Sequence, residues 1–336
     1  SHLVGLRDKV RLIRPRLDFR SPAVRQFGLL VAPLVAGILL AKVRDTYNNV
    51  LVLSVLDEGV MSATAFGRKI YQTISYVGPY AVSIGMLPYF CEMVSKDDKD
   101  QLGATVTQGA RLTLLLCVPV AVLFISLSLP IAQVLFQGGQ YTYESAVQAA
   151  VANACYTLVL PFAALECIFM QTFFANRRMI SVTVVGIIFS VLSMVISYLF
   201  VVRFGWRGLS AVAAVSLAFT VSRMLKVLTL GVTMRRFLPC FPWRETASFV
   251  GRILGIGVAT GITAYGVHSL YIQHVAAPRV ANRIAVLTRV GPDLVLSGLV
   301  SGLVTLGLMY LLCRKDINLV LDWAMQKIRA RTGRNE

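Results

Sequence analysis

The chain has 336 residues, 56% hydrophobic and 15% charged, with a formal net charge of +17 and a mean hydropathy of +0.70. A soluble domain keeps roughly a quarter of its residues charged to cover its surface, so this composition excludes an ordinary soluble fold. Nor does the positive excess describe a nucleic-acid face: Lys and Arg fall mostly in short segments between long apolar runs, the pattern of membrane orientation, and no nucleic-acid partner is expected.

In chain order, residues 1–26 form a basic segment, expected to be cytoplasmic, that contains Arg7, Lys9, Arg11, Arg14, Arg16, Arg20 and Arg25 and lacks the apolar core of a cleaved signal. A helix needs about 20 apolar residues to cross the hydrocarbon layer. Runs of that order occupy 27–54, 64–91, 106–129, 146–174, 180–202, 207–231, 247–270 and 291–313. They are continuous rather than alternating, which argues against barrel strands. The expected fold is therefore all-α, a polytopic membrane helix bundle of about eight transmembrane helices. Gly78, Pro79, Gly85 and Pro88 in the second run and Pro161 in the fourth free backbone groups and permit bends. Residues 314–336 mix Ile317, Leu319, Trp323 and Ile328 with charges and are expected to lie on the cytoplasmic membrane surface.

Basic residues set the orientation. One set of faces holds the N-terminal arginines, Lys96 and Lys99, Arg177 and Arg178, Arg235, Arg236 and Arg244, and the basic C-terminal tail. The opposite set is poorer, although Arg279, Arg283 and Arg289 run against the rule. Both termini are expected to be cytoplasmic. Six scattered cysteines contain no C-x-x-C pair, which gives neither a disulfide framework nor a zinc site. His2, His268 and His274 have no carboxylate at ligand spacing and are read as terminal or loop residues, so no metal or cofactor is expected.

Charges inside spans carry the functional signal. A Lys, Arg or Asp at the bilayer centre costs roughly 2.5 to 3.5 kcal/mol and must pair, snorkel or face a cavity. The first span holds Lys42, Arg44, Asp45, Asn48 and Asn49, and the second opens on Arg68 and Lys69. Lys42 and Asp45, three apart, share a helix face and can pair, which leaves one basic charge without a local partner. Glu166 lies in the fourth span and reads equally as an ion or proton site or as a carboxyl kept neutral by burial. Arg223 and Lys226, in the sixth, fit either a cationic cavity for an anionic headgroup or snorkelling to the interface.

Four stretches resemble the MurJ (MviN) family of lipid II flippases, within the superfamily that also holds multidrug antiporters and polysaccharide exporters. They are Asn49 through Gly59 to Phe66-Gly67-Arg68-Lys69-Ile70-Tyr71-Gln72 and Gly85-Met86-Leu87-Pro88, then Leu135-Phe136-Gln137-Gly138-Gly139-Gln140-Tyr141-Thr142, then Phe173-Phe174-Ala175-Asn176-Arg177-Arg178, and finally Gly205-Trp206-Arg207-Gly208-Leu209. The resemblance implies a six-helix C-terminal transporter lobe over 27–231 and a two-helix lipid-groove pair over 247–313, with a partnering N-terminal six-helix lobe missing from the chain. It further implies a non-enzymatic flippase of the bacterial cytoplasmic membrane, carrying an undecaprenyl-linked peptidoglycan precursor among membrane lipids. Export of other lipid-linked oligosaccharides or small molecules, or a non-transporting scaffold half, are the alternatives. By ungapped match Lys69 takes the place of the family's cavity arginine and Arg68 that of its aspartate. The implied substrate-binding set is then Arg44, Lys69, Arg68, Lys42, Asn48, Asn49 and Arg223, with Asp45 and Glu166 as candidate ion or proton sites. Ser193 and Ser197 fall where relatives often carry Asn or Asp, and hydroxyls alone are poor cation ligands.

Overall fold

The structure, a computed structural model, describes residues 22–52, 54, 56, 59–77, 79–139, 141–275 and 283–314. The basic segment before residue 22 and the interfacial tail expected after residue 314 lie outside the described residues. The described chain is helical, with a single isolated bridge between Gly138 and Tyr141. Its helices are α1 (Pro22–Tyr47, continued by a π-helical turn at Asn48–Val52), α2 (Val60–Val77), α3 (Pro79–Ser95), α4 (Lys99–Ser126), α5 (Ser128–Phe136) and α6 (Tyr143–Thr157). They are followed by α7 (Leu160–Ala175), α8 (Met179–Tyr198, continued by a π turn at Leu199–Arg203), α9 (Gly208–Arg235), α10 (Trp243–Val275) and α11 (Arg283–Leu312).

Among the described residues five helices are long and apolar enough to span a membrane: α4, α8 with its π turn, α9, α10 and α11. The pair α6 and α7, bent by 42°, makes a sixth. A polytopic helical bundle is thus the fold, although those six do not by themselves reach the eight expected from hydropathy. The breaks fall where proline acts. Pro79 opens α3 directly after the end of α2, and Pro161 lies at the start of α7 beyond the α6–α7 bend; a proline cannot donate to the preceding turn but suits the first turn of a new helix.

Local sequence also explains two turns. Asp98 accepts from the Gln101 amide at 2.9 Å and caps α4. At the end of α7, Arg177 takes a left-handed φ of 56°. The Arg178 amide then donates to Phe173 O at 2.9 Å and the Arg177 amide to Phe174 O at 3.0 Å, the pair of bonds of a Schellman motif.

Packing divides the apolar residues into several clusters. Tyr71, Tyr156, Val159, Leu160 and Val215 pack where α2, α6, α7 and α9 meet. Phe90, Phe169, Phe173, Leu230 and Met234 join α3, α7 and α9 towards the α7–α8 turn. Leu115, Phe249, Ile256 and Met309 fasten α10 and α11 to α4. The α2–α6 contact is close because position 67 is glycine: a Cβ there would run into the Ala149 carbonyl oxygen. In contrast, α8 has only 11% of its apolar window buried. Exposed Ile180, Val184, Ile188, Val191 and Val195 on α8 suit contact with lipid chains rather than water.

Candidate functional site

Helices α1, α2, α7, α8 and α9 surround a cavity of about 510 Å³, within the usual size range of small-molecule sites. Each helix contributes one stripe at three- and four-residue spacing. On α1 the stripe is Ile38, Ala41, Lys42 and Asp45; on α2 it is Arg68, Tyr71, Gln72 and Ser75. On α7 it is Ala163, Glu166, Cys167 and Met170; on α9 it is Phe219, Ser222, Arg223 and Lys226. A 3.6-residue period turns these positions to one side, and on α1 Arg44 joins them beside Asp45.

Two charge clusters result. In the first, Asp45 accepts from Arg44 Nη2 at 2.9 Å and from Arg68 Nη2 at 3.1 and 3.0 Å on its two oxygens, which ties α1 to α2. In the second, the buried Glu166 accepts from Arg223 Nε and Lys226 Nζ, each at 2.6 Å, which ties α7 to α9. Arg223 also donates to the Tyr71 hydroxyl at 2.8 Å. Phe219 stands between the clusters: Arg44, Arg68 and Arg223 lie 5.0, 5.3 and 5.7 Å from its ring centroid. At such distances the negative face of an aromatic ring attracts a guanidinium group, in addition to the carboxylate each arginine already bonds. Lys42 lines the cavity and makes no ion pair among the described residues. Five cations, Lys42, Arg44, Arg68, Arg223 and Lys226, thus stand against the two carboxylates of Asp45 and Glu166, leaving an excess of three positive charges on the wall.

Several sequence expectations are corrected here. Asp45 does not pair with Lys42 on its own helix. The planar guanidinium groups of Arg44 and Arg68 bond the carboxylate instead, and Lys42 lines the cavity. Lys69 is exposed and does not line the cavity, whereas Arg68 does; one step along the helix turns a side chain by about 100°, which carries Lys69 to the edge of the α2 stripe and outward. Glu166 is not a solitary carboxyl but the acceptor of two cations, and Arg223 and Lys226 turn inward to it rather than snorkelling. Asn48 is buried in the π turn that continues α1, with Oδ1 lacking a partner among the described residues, and Asn49 is half-buried; neither lines the cavity wall. Ser193 lines the wall, and both Ser193 and Ser197 are buried with hydroxyls unpartnered among the described residues.

Sequence reasoning missed Phe219 and Tyr71, which look like ordinary core aromatics. Their signal is positional: each falls on the same stripe as a basic residue, Phe219 with Arg223 and Tyr71 with Arg68. It also misread His268, which is not a loop residue but lies in α10 with its ring nitrogen 2.6 Å from Asp293 of α11.

Comparison with known proteins yields a consistent match. Residues 1–284 fit the family described as lipid II flippase MurJ. A probable lipid II flippase MurJ of Rhizobium meliloti (strain 1021) is 29% identical over 169 residues, covering 49% of this chain and 30% of that protein. One from Synechocystis sp. (strain ATCC 27184 / PCC 6803 / Kazusa) is 25% identical over 199 residues, 59% of this chain and 37% of the relative. The chain therefore spans about a third of the length of these curated relatives. A solved lipid II flippase MurJ in an inward closed conformation superposes with a TM-score of 0.63 at 16% identity, covering 94% of this chain and 59% of that one. At that identity the superposition speaks for the fold.

Proposed function

This chain belongs to the lipid II flippase MurJ family, and from that premise we propose that it moves lipid II, a lipid-linked peptidoglycan precursor, across the bacterial cytoplasmic membrane by alternating access. The observation that carries the proposal is the cavity wall with three uncompensated positive charges. Such a wall suits a diphosphate, because charge-assisted bonds to an anion are strongest where water is largely excluded. Arg68 and Arg44, held in place by Asp45, and Arg223 and Lys226, held by Glu166, would present donors to the phosphate oxygens. Lys42, unpaired within the described chain, would swing to meet the same anion. Ser75 and Ser222, cavity hydroxyls without partners among the described residues, would serve the adjoining sugar.

The remaining parts follow from the same reading. Residues 27–231 would form the six-helix transporter lobe and 247–313 the pair that receives the lipid tail. Both termini would be cytoplasmic, which puts the α7–α8 turn, and the cavity rim at Phe174 and Met179, on the side where the precursor is loaded. Because the chain spans about a third of its curated relatives, an N-terminal lobe would complete the cavity from the other side, and rocking of the two would carry the headgroup across without breaking a bond.

The test is depletion and rescue. The host flippase is removed, this chain is supplied alone or with a family N-terminal lobe, and outward accessibility of the precursor is scored. Rescue by the combination supports the proposal. Correct insertion with no rescue by either would overturn it and turn attention to another lipid-linked saccharide or to a non-transporting role.

A further inference from the structure

Away from the cavity, α10 and α11 are joined by a pair of ionisable side chains. His268 Nδ1 lies 2.6 Å from Asp293 Oδ2, and Ser297 Oγ donates to the other carboxylate oxygen at 3.0 Å. Asp293 is only 2% exposed. The seam continues along α11 with buried Ser297, Ser301 and Thr305 at four-residue steps, and Thr305 meets Thr260 of α10 at 2.7 Å. Small polar residues on a seam let membrane helices approach closely. Ser301 and Thr305 donate to carbonyls of their own helix, those of Ser297 and Ser301, so the hydroxyls do not form a continuous proton path. Among the described residues, the group on this seam that can change charge is the His268–Asp293 dyad.

The surroundings leave Asp293 dependent on His268. On α10, Tyr265 is exposed, Tyr271 is half-buried, and His274 is exposed and bonded to Leu270 O. On α11, Arg289, one turn before Asp293, is exposed, and Arg283 packs against Gly138. The charged residues of α4, Lys99, Asp100 and Arg111, lie in its first half, whereas α10 reaches Ser126 at the other end by way of Gly261; α5 has no charged residue. From α2, Ile70 and Ile74 approach near Ala264 and Leu294, while Arg68 is tied to Asp45 and Lys69 is exposed.

With a neutral imidazole the dyad carries one negative charge inside an apolar helix pair. With a second ring proton its net charge is zero. An uncompensated charge in hydrocarbon is unfavourable, and an intramembrane ionisable pair generally marks a site rather than packing. We infer that His268 and Asp293 form a proton-binding site that clasps α10 to α11: a proton taken from water onto Nε2 of His268 neutralises the dyad and tightens the seam, and its release loosens it. The dyad sits in the C-terminal third of α10 and the N-terminal half of α11. The site is independent of which lipid the cavity receives, and its failure would leave the flippase reading untouched.

The test uses the full chain in lipid nanodiscs with nitrogen-15 labelled histidine. There are three histidines in the chain, so His268 is resolved by comparison with His268→Gln. The expected result is a reversible, pH-dependent change of one proton at the His268 ring, altered in Asp293→Asn while the signals of His2 and His274 are unchanged. Spin labels at Ile262 and Leu303, exposed on α10 and α11, should give a distance distribution that broadens as pH rises, with loss of that dependence in His268→Gln. A His268 that does not titrate, or a distribution identical at low and high pH, overturns the inference. Should Asp293→Asn fail to insert, the wild-type titration and His268→Gln still decide.

Discussion

Arg68 of α2 reaches across to Asp45 of α1, its Nη2 lying 3.1 and 3.0 Å from the two carboxylate oxygens. This bond decides which of two adjacent basic residues belongs to the cavity. Lys69, next in sequence, is exposed and outside the lining.

Alanine at the two positions should therefore separate. Arg68→Ala removes a charge-assisted pair worth about 1.5 to 3 kcal/mol, so affinity for a prenyl diphosphate should fall by about 10- to 100-fold. Lys69→Ala should stay within about twofold, since an exposed charge away from the site contributes little. Titration of both variants checks this, and equal losses would refute the assignment.

Glu166→Gln should act in two directions. The variant leaves Arg223 and Lys226 without their shared carboxylate, and breaking a buried pair costs about 3 to 5 kcal/mol, so the melting temperature should drop. The cavity meanwhile gains one net positive charge, and the surviving folded protein should bind the diphosphate more tightly. A variant weaker in both respects would show that the hold of Glu166 on the two cations outweighs the charge it cancels.

Gly67→Ala should destabilise by about 1 to 3 kcal/mol, the usual range for overpacking. The new methyl would meet the Ala149 carbonyl oxygen, which is backbone and cannot rotate away. Thermal unfolding in detergent measures it. Gly255→Ala, with nothing within 4 Å of its Cβ position, is the control and should lose no stability.

Arg177→Gly should raise stability by up to about 1 kcal/mol. The left-handed φ of 56° strains any residue with a Cβ, and glycine is the residue such a helix end favours. An unchanged or lower melting temperature would mean that Arg177 contributes to the α7 terminus by its charge.

Much of this was legible from residues alone because a membrane leaves few options. Long apolar runs must be helical where no water can satisfy the backbone, and a charge within them must have a reason. Lys42, Arg44, Asp45, Arg68, Glu166 and Arg223 stand out on that ground, and all line the cavity. Their pairing was not legible. Asp45 has a cation three residues before it and another beside it, and local spacing allowed a pair with Lys42; the bond from α2, 23 residues on, exists only after α1 and α2 pack.

The sequence by itself determined a helical membrane protein with basic residues inside its spans, because hydropathy and the cost of intramembrane charge are properties of composition and period. Tertiary structure decided which charges meet: Arg68 rather than Lys69, Glu166 between two cations, Phe219 among three guanidinium groups, and His268 with Asp293 across 25 residues. The physical reason is that ion pairs and cation–ring contacts act over a few ångströms. Which residues come that close is fixed by the rotation and packing of whole helices, information that no single helix carries.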